Sequence, residues 1–109
     1  GKTEERIYDV VCSDGRAIVN RRCERPVGST VNVAEASYTN TIGDPLLTAF
    51  WEDPDFDPDQ HAFYYVRVLE IPKPSWLAYD AKRYGVKMSD EVPMVVQDRA
   101  YTSPIWYTP

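Results

Sequence analysis

The stretch 62-AFYYVRVLE-70 constrains the fold more than any other part of the chain. Its alternation places Ala62, Tyr64, Val66 and Val68 on one face and Phe63, Tyr65, Arg67 and Leu69 on the other, the period of a β-strand. β-Branched and aromatic side chains dominate it, and they pack well on a pleated surface. The second face is largely apolar as well, so the segment reads as a central strand covered on both sides.

Further strands are predicted at 6-RIYDVVC-12, 30-TVNVAEASYTN-40, 46-LLTAFWE-52, 94-MVVQD-98 and 100-AYTSPIWY-107. Turn residues separate them: Asp14-Gly15, Pro26 to Gly28, and Gly43-Asp44-Pro45. Val31 and Val33 share one parity while Ala34, Ala36 and Tyr38 share the other, which predicts a bulge or two short strands. Pro104 has no N–H to give a ladder, so the last strand must be an edge or bulged there. Only 75-SWLAYDAKRYG-85 reads as a helix, with Ser75 as N-cap, Gly85 as left-handed C-cap, and Lys82 and Arg83 in the last turn. Trp76, Tyr79 and Tyr84 lie roughly on one side of it, a candidate interface.

These elements predict a mainly β protein: an antiparallel, immunoglobulin-like β-sandwich with one short helical insertion near residues 75–85. A chain of 109 residues fits a single module spanning 1–109. Tyr64, early in the strongest strand, stands where such folds place a tyrosine that bonds back to the preceding corner. It is equally readable as a core aromatic. The first residue is Gly1 and the first large apolar one is Ile7, which reads as a processed end or a cut within a longer protein.

The preceding segment, 51-WEDPDFDPDQH-61, alternates Asp53, Asp55, Asp57 and Asp59 as a calcium loop does. Counted from Asp53, the sixth position is Pro58 where glycine is needed, and the twelfth is Tyr64 where a bidentate glutamate is needed. Pro54 and Pro58 also stiffen the backbone. A strand-connecting corner is therefore expected instead of a metal site, and no cofactor. The run from Glu52 to Asp59 accounts for the whole net charge of −5. Acidity of this kind repels phosphate backbones, so nucleic acid is not an expected partner. Arg16, Arg21, Arg22 and Arg25 form a basic cluster broken by Glu24, read as a solvated loop and not an anion site.

No run of about 18 apolar residues is available to span a membrane. Cys12 and Cys23 flank 13-SDGRAIVNRR-22, a hairpin or loop. The two are read as a disulfide, with two free buried thiols as the other outcome. A bridge would contribute roughly 2–3 kcal/mol and place the protein outside the cytosol.

Catalytic chemistry finds little support. The crowded carboxylates lack a partner that would separate their pKa values for glycoside cleavage. The lone His61 builds neither a triad nor a zinc site. Trp76, Tyr79, Trp106 and Tyr107 are readable as a sugar-stacking platform, though aromatics in small sandwiches more often serve core or interface.

At 53-DPDFDPDQHAFYYVRVLEIPKPSWLAYDAKRYGV-86 and 97-QDRAYTSPIWYTP-109 the chain closely resembles the C-terminal end of the bacterial domain-of-unknown-function family three-six-zero-four. Weaker likeness at 5-ERIYDVVCSDG-15 and 35-EASYTNTIGDP-45 extends it over most of the chain. The resemblance implies a relationship to the PHP (polymerase and histidinol phosphatase) superfamily of metal-dependent phosphoesterases, which are long, commonly exported, and carry a His-rich metal-binding barrel. The metal motif has no matching positions here. The chain is thus expected to be a noncatalytic C-terminal module of an exported PHP-like hydrolase, periplasmic or extracellular. Its expected partner is the catalytic domain of the same parent chain, with self-association of the isolated piece. An independent carbohydrate-binding or adhesion module is the alternative.

Overall fold

In the computed structural model, which describes residues 2–109, the strongest predicted strand forms as part of a long two-stranded ribbon. Gly1, where the processed or cut start is read, lies outside the described residues. The elements in chain order are β1 (Ile18–Val19), β2 (Arg22–Cys23), β3 (Ala62–Tyr64), β4 (Arg67–Leu69), β5 (Lys73–Pro74), α1 (Trp76–Tyr84), β6 (Val95–Val96), β7 (Arg99–Tyr101) and β8 (Ile105–Tyr107). All pairings are antiparallel: β1 with β2, β3 with β8, β4 with β7, and β5 with β6.

The last three pairs follow one another along a single ribbon. Ala62 faces Tyr107, Arg67 faces Tyr101, and Lys73 faces Val96. The register slips by one residue twice, first on the strand carrying Pro104 and then on the strand carrying Pro72. Each slip is a bulge at a proline, because the imino acid cannot donate to the ladder. At the first bulge the bridging bonds come from Thr102, whose N–H donates to Val66 O at 2.9 Å and whose hydroxyl accepts from Val66 N at 2.9 Å.

At the far end of the ribbon α1 is capped by Gly85 in the left-handed region (φ 64°). Ser75 occupies the N-cap position, but its hydroxyl does not bond the first turn. It donates instead to Pro93 O at 2.8 Å, tying the helix start to the returning chain. Lys82 and Arg83 do fall in the last turn, and Lys82 Nζ reaches Glu35 O and Oε2.

Three predicted strands do not form. Residues 6–12 and 46–52 are irregular, and 30–40 contributes a single bridge between Asn32 and Ser37 around a tight turn with Ala36 at φ 48°. The sheet they would have completed is absent from the described residues. Mainly β, antiparallel and one-helix is the architecture; the described residues do not assemble the immunoglobulin-like sandwich, because every sheet among them has two strands. Its core is missing too. Ala36, Pro74 and Ala78 are the buried apolar side chains among the described residues.

The overall dimensions agree. The radius of gyration is 18.5 Å and the extents are 60 × 33 × 22 Å, against about 13 Å for a compact domain of this length. The accessible surface is 8916 Å², roughly 2,700 Å² more than folded monomers of this mass expose. A two-stranded ribbon is marginal by itself and needs a further layer.

Candidate functional site

The acidic corner packs on the Tyr64 face of the ribbon, around Tyr64 and Tyr107, while Val66, Val68 and Ile105 of the same face stand exposed. Its alternating aspartates are two successive turns of the same form, Asp53-Pro54-Asp55-Phe56 and Asp57-Pro58-Asp59-Gln60. In each, the first aspartate accepts from the amide two residues on: Asp55 N to Asp53 Oδ1 at 2.8 Å, and Asp59 N to Asp57 Oδ1 at 2.9 Å. Proline presets φ at the second position of each turn. Two of the four carboxylates thus serve their own backbone.

Two tyrosines tie the corner to the ribbon. Tyr64 donates to Asp53 Oδ2 at 2.8 Å, and this bond holds the tyrosine's pKa above its ordinary value. The bond goes back to the preceding corner, to a side chain rather than to the backbone. Tyr107 donates to Pro58 O at 2.9 Å, and its ring meets that of Phe56 edge-on at 4.9 Å.

Asp55 is the centre of a second cluster. Its Oδ2 accepts from Tyr8, from Arg21 Nη2 at 3.3 Å, and lies 3.5 Å from Arg6 Nη1. Arg21 also sits over the Tyr8 ring at 4.8 Å, and Trp51 leans on that ring at 5.2 Å. Arg21 occupies the left-handed region (φ 67°) after Asn20 (φ 50°), as a two-residue hairpin turn between β1 and β2 requires. The Tyr8 hydroxyl holds the Asp55 carboxyl below the usual range, and Asp55 raises Tyr8.

The pH consequence has two sides. Asp55 is depressed, so its contribution is present above about pH 4, the unfolded value, and is lost as pH falls through the folded one. Tyr8 and Tyr64 are raised, so their contributions hold below about pH 10, the unfolded value, and vanish as pH rises through theirs. We expect the tyrosine ring resonances in NMR titration to show Tyr8 ionising late. Asp55→Asn should return it toward its ordinary value, and an unchanged Tyr8 titration in that variant would rule the contact out.

The predicted disulfide is present between Cys12 and Cys23. The loop it closes also reaches the 43–45 turn: Gly43 N donates to Asp14 Oδ2 at 2.7 Å and Asp14 N to Asp44 Oδ2 at 3.2 Å. The Ser13 hydroxyl, then the Gly43 amide, hold the Asp14 carboxyl below its ordinary range. Arg16 and Arg25 of the basic cluster serve this loop, Arg16 donating to Ser13 O and Arg25 O and Arg25 pairing with Glu24 at 2.5 Å.

The opposite face carries most of the ribbon's exposed rings. Trp106, Phe63, Tyr65 and Tyr101 run along it as a row, 72%, 49%, 44% and 59% exposed. Neighbouring ring centroids are 5.1, 6.3 and 6.3 Å apart. Arg67 and Arg99 project from the same side, since Arg67 shares parity with Phe63 and Arg99 faces Leu69. The predicted interface residues Trp76, Tyr79 and Tyr84 on α1 are exposed too. The family resemblance implies that the Tyr-Val-Arg-Val strand pairs with the Arg-Ala…Ser-Pro-Ile strand, and these segments do pair; the register that sets Tyr101 and Trp106 beside Phe63 and Tyr65 is shown by the structure alone. The Asp55 cluster had no local signal, because Tyr8, Arg21 and Asp55 are far apart in the chain.

No group of three or more His, Cys, Asp or Glu side chains among the described residues is arranged to hold a metal ion. Calcium is expected to leave the melting temperature unchanged. A calcium-dependent rise in calorimetry, absent with magnesium, would restore a cation role for the corner. Tyr64→Phe is expected to lower stability by about 1 kcal/mol, one lost hydrogen bond, read from chemical denaturation.

Among protein families, the model of Protein of unknown function (DUF3604) matches residues 1–109. No curated protein and no solved structure matches the chain. No helix among the described residues is long and apolar enough to cross a membrane.

Proposed function

The chain belongs to the DUF3604 family, and from that premise we propose that it is a noncatalytic packing module of a larger, exported, PHP-like metal-dependent hydrolase. In this reading it stands at the C-terminal end of the parent protein and packs against the catalytic domain. One observation carries it: the described residues bury almost no apolar side chain of their own, while some 23 large hydrophobic residues stand exposed. Isolated monomers rarely tolerate apolar patches on this scale. The sandwich that the strand pattern calls for would be completed by a layer from elsewhere in the parent. The disulfide supports an oxidising compartment, periplasmic or extracellular.

The isolated chain is expected to bind the apolar dye ANS and to self-associate, and to lose both properties when the rest of its polypeptide is supplied. A monomeric chain that binds no dye would overturn the reading. Phosphoesterase turnover by the isolated chain with added divalent metal would overturn its noncatalytic part.

A second reading, a carbohydrate-binding module, draws on Trp76 at 70% exposure. It predicts glycan-array hits for the isolated chain that Trp76→Ala abolishes, and an array without hits removes it.

A further inference from the structure

Resting on the packing-module reading, we propose that the ring-bearing face of the ribbon is the docking seat, and that its occupant is an apolar protein layer presenting carboxylates to Arg67 and Arg99. Three observations converge on this face. The first is its run of neighbouring exposed rings. Trp51, Phe56 and the two Asp-Pro turns cover the opposite face around Tyr64 and Tyr107, and Val66, Val68 and Ile105 of that face are aliphatic and exposed. The row Trp106, Phe63, Tyr65, Tyr101 instead gathers four rings, and the Tyr65 hydroxyl bonds Glu5 at 3.3 Å.

The second is charge. Arg67 and Arg99 make no ion pair and no side-chain hydrogen bond among the described residues. Arginine is the cation best suited to pairing across an apolar interface, because its planar fork grips a carboxylate bidentately and is weakly hydrated. Two unpaired guanidinium groups beside four rings therefore define an acidic complement on the partner. The chain's own acidic corner does not serve, since it lies against the other face.

The third is shape. The two end pairs of the row are tilted by 39° and 38°, while Phe63 and Tyr65 lie within 14° of parallel. The four rings therefore offer no single plane along which a sugar chain could stack. Aromatic and arginine side chains together are the composition of a protein hot spot.

Hydroxyl-radical footprinting tests this on the native polypeptide that carries residues 1–109, compared with the isolated chain diluted until light scattering gives its monomer mass. Trp106, Phe63, Tyr65 and Tyr101 are expected to oxidise at least severalfold more slowly in the native polypeptide, while exposed Phe50 reacts alike in both. Arg67→Glu with Arg99→Glu should abolish the protection, and Arg67→Lys with Arg99→Lys should largely keep it, which separates lost charge from a lost fold. Rings equally reactive in both samples overturn the proposal. If Trp76, Tyr79 and Tyr84 are protected instead, the packing-module reading survives through the helix. If no aromatic is protected, both fall. Protection that disappears on dilution, with the mass by light scattering halving, assigns the face to a second copy. Protection of the isolated chain by added alginate assigns it to an acidic glycan. Either result also overturns the proposal.

Discussion

Replacing both Cys12 and Cys23 by serine is expected to lower stability by about 2–3 kcal/mol, the loop-closure contribution of a bridge over this separation. The bridge spans a sequence separation of 11 and encloses the β1–β2 hairpin. Its importance exceeds its loop length because of what the loop holds. Arg21 at the hairpin tip reaches Asp55, and Asp14 at the loop's start accepts from Gly43, so one closed loop anchors two remote corners. In a chain with so little buried apolar surface, few other contacts can take over. Urea unfolding of the oxidised and serine forms reads the loss, and reduction of the native protein should reproduce it. A difference below about 0.5 kcal/mol, the ordinary range for a neutral surface change, would mean that the Asp14 and Asp55 contacts hold the loop unaided.

Gly43→Ala is expected to cost about 2–3 kcal/mol from two separable causes. Gly43 sits at φ +78°, and a Cβ added there would lie 2.7 Å from Ile71 Cγ2. The left-handed backbone costs a non-glycine residue about 1–2 kcal/mol. The overlap adds the rest, since at 2.7 Å the Ile71 methyl must shift to make room. The double variant Gly43→Ala, Ile71→Ala removes the overlapping methyl and leaves the backbone term. In a double-mutant cycle its loss should therefore fall short of the sum of the single losses. Strict additivity would show that the overlap is relieved by ordinary side-chain movement.

The contrast between Gly43 and the aspartates shows where sequence reasoning reached and where it stopped. Asp53 and Asp57 were legible as turn formers because an Asx turn is local: its donor lies two residues away and proline presets the next φ. The helix at 75–85 was legible for the same reason, with its stop at Gly85, although Ser75 turned out to bond Pro93 O across the ribbon. Pro104 announced a bulge, and a bulge is there. The strands expected at 6–12 and 46–52 did not form, because an apolar run becomes a strand only when another edge is in place to take its hydrogen bonds. Tyr101 and Trp106 joined Phe63 and Tyr65 in one row through cross-strand register, which a single sequence does not state.

By itself the sequence determined the local features of this protein: the alternation of 62-AFYYVRVLE-70, the paired Asp-Pro turns, the single helix, and the spacing that lets Cys12 meet Cys23. Each depends on backbone preferences or on partners a few residues away. Only the tertiary structure decided that the Asp-Pro corner closes over Tyr64 and Tyr107, that Asp55 gathers Tyr8, Arg6 and Arg21, and that Arg67 and Arg99 stand unpaired beside four rings among the described residues. Those outcomes rest on which distant segments come together. Apolar surface is driven from water without regard to direction, so its pattern announces that a face must be covered and leaves open what covers it.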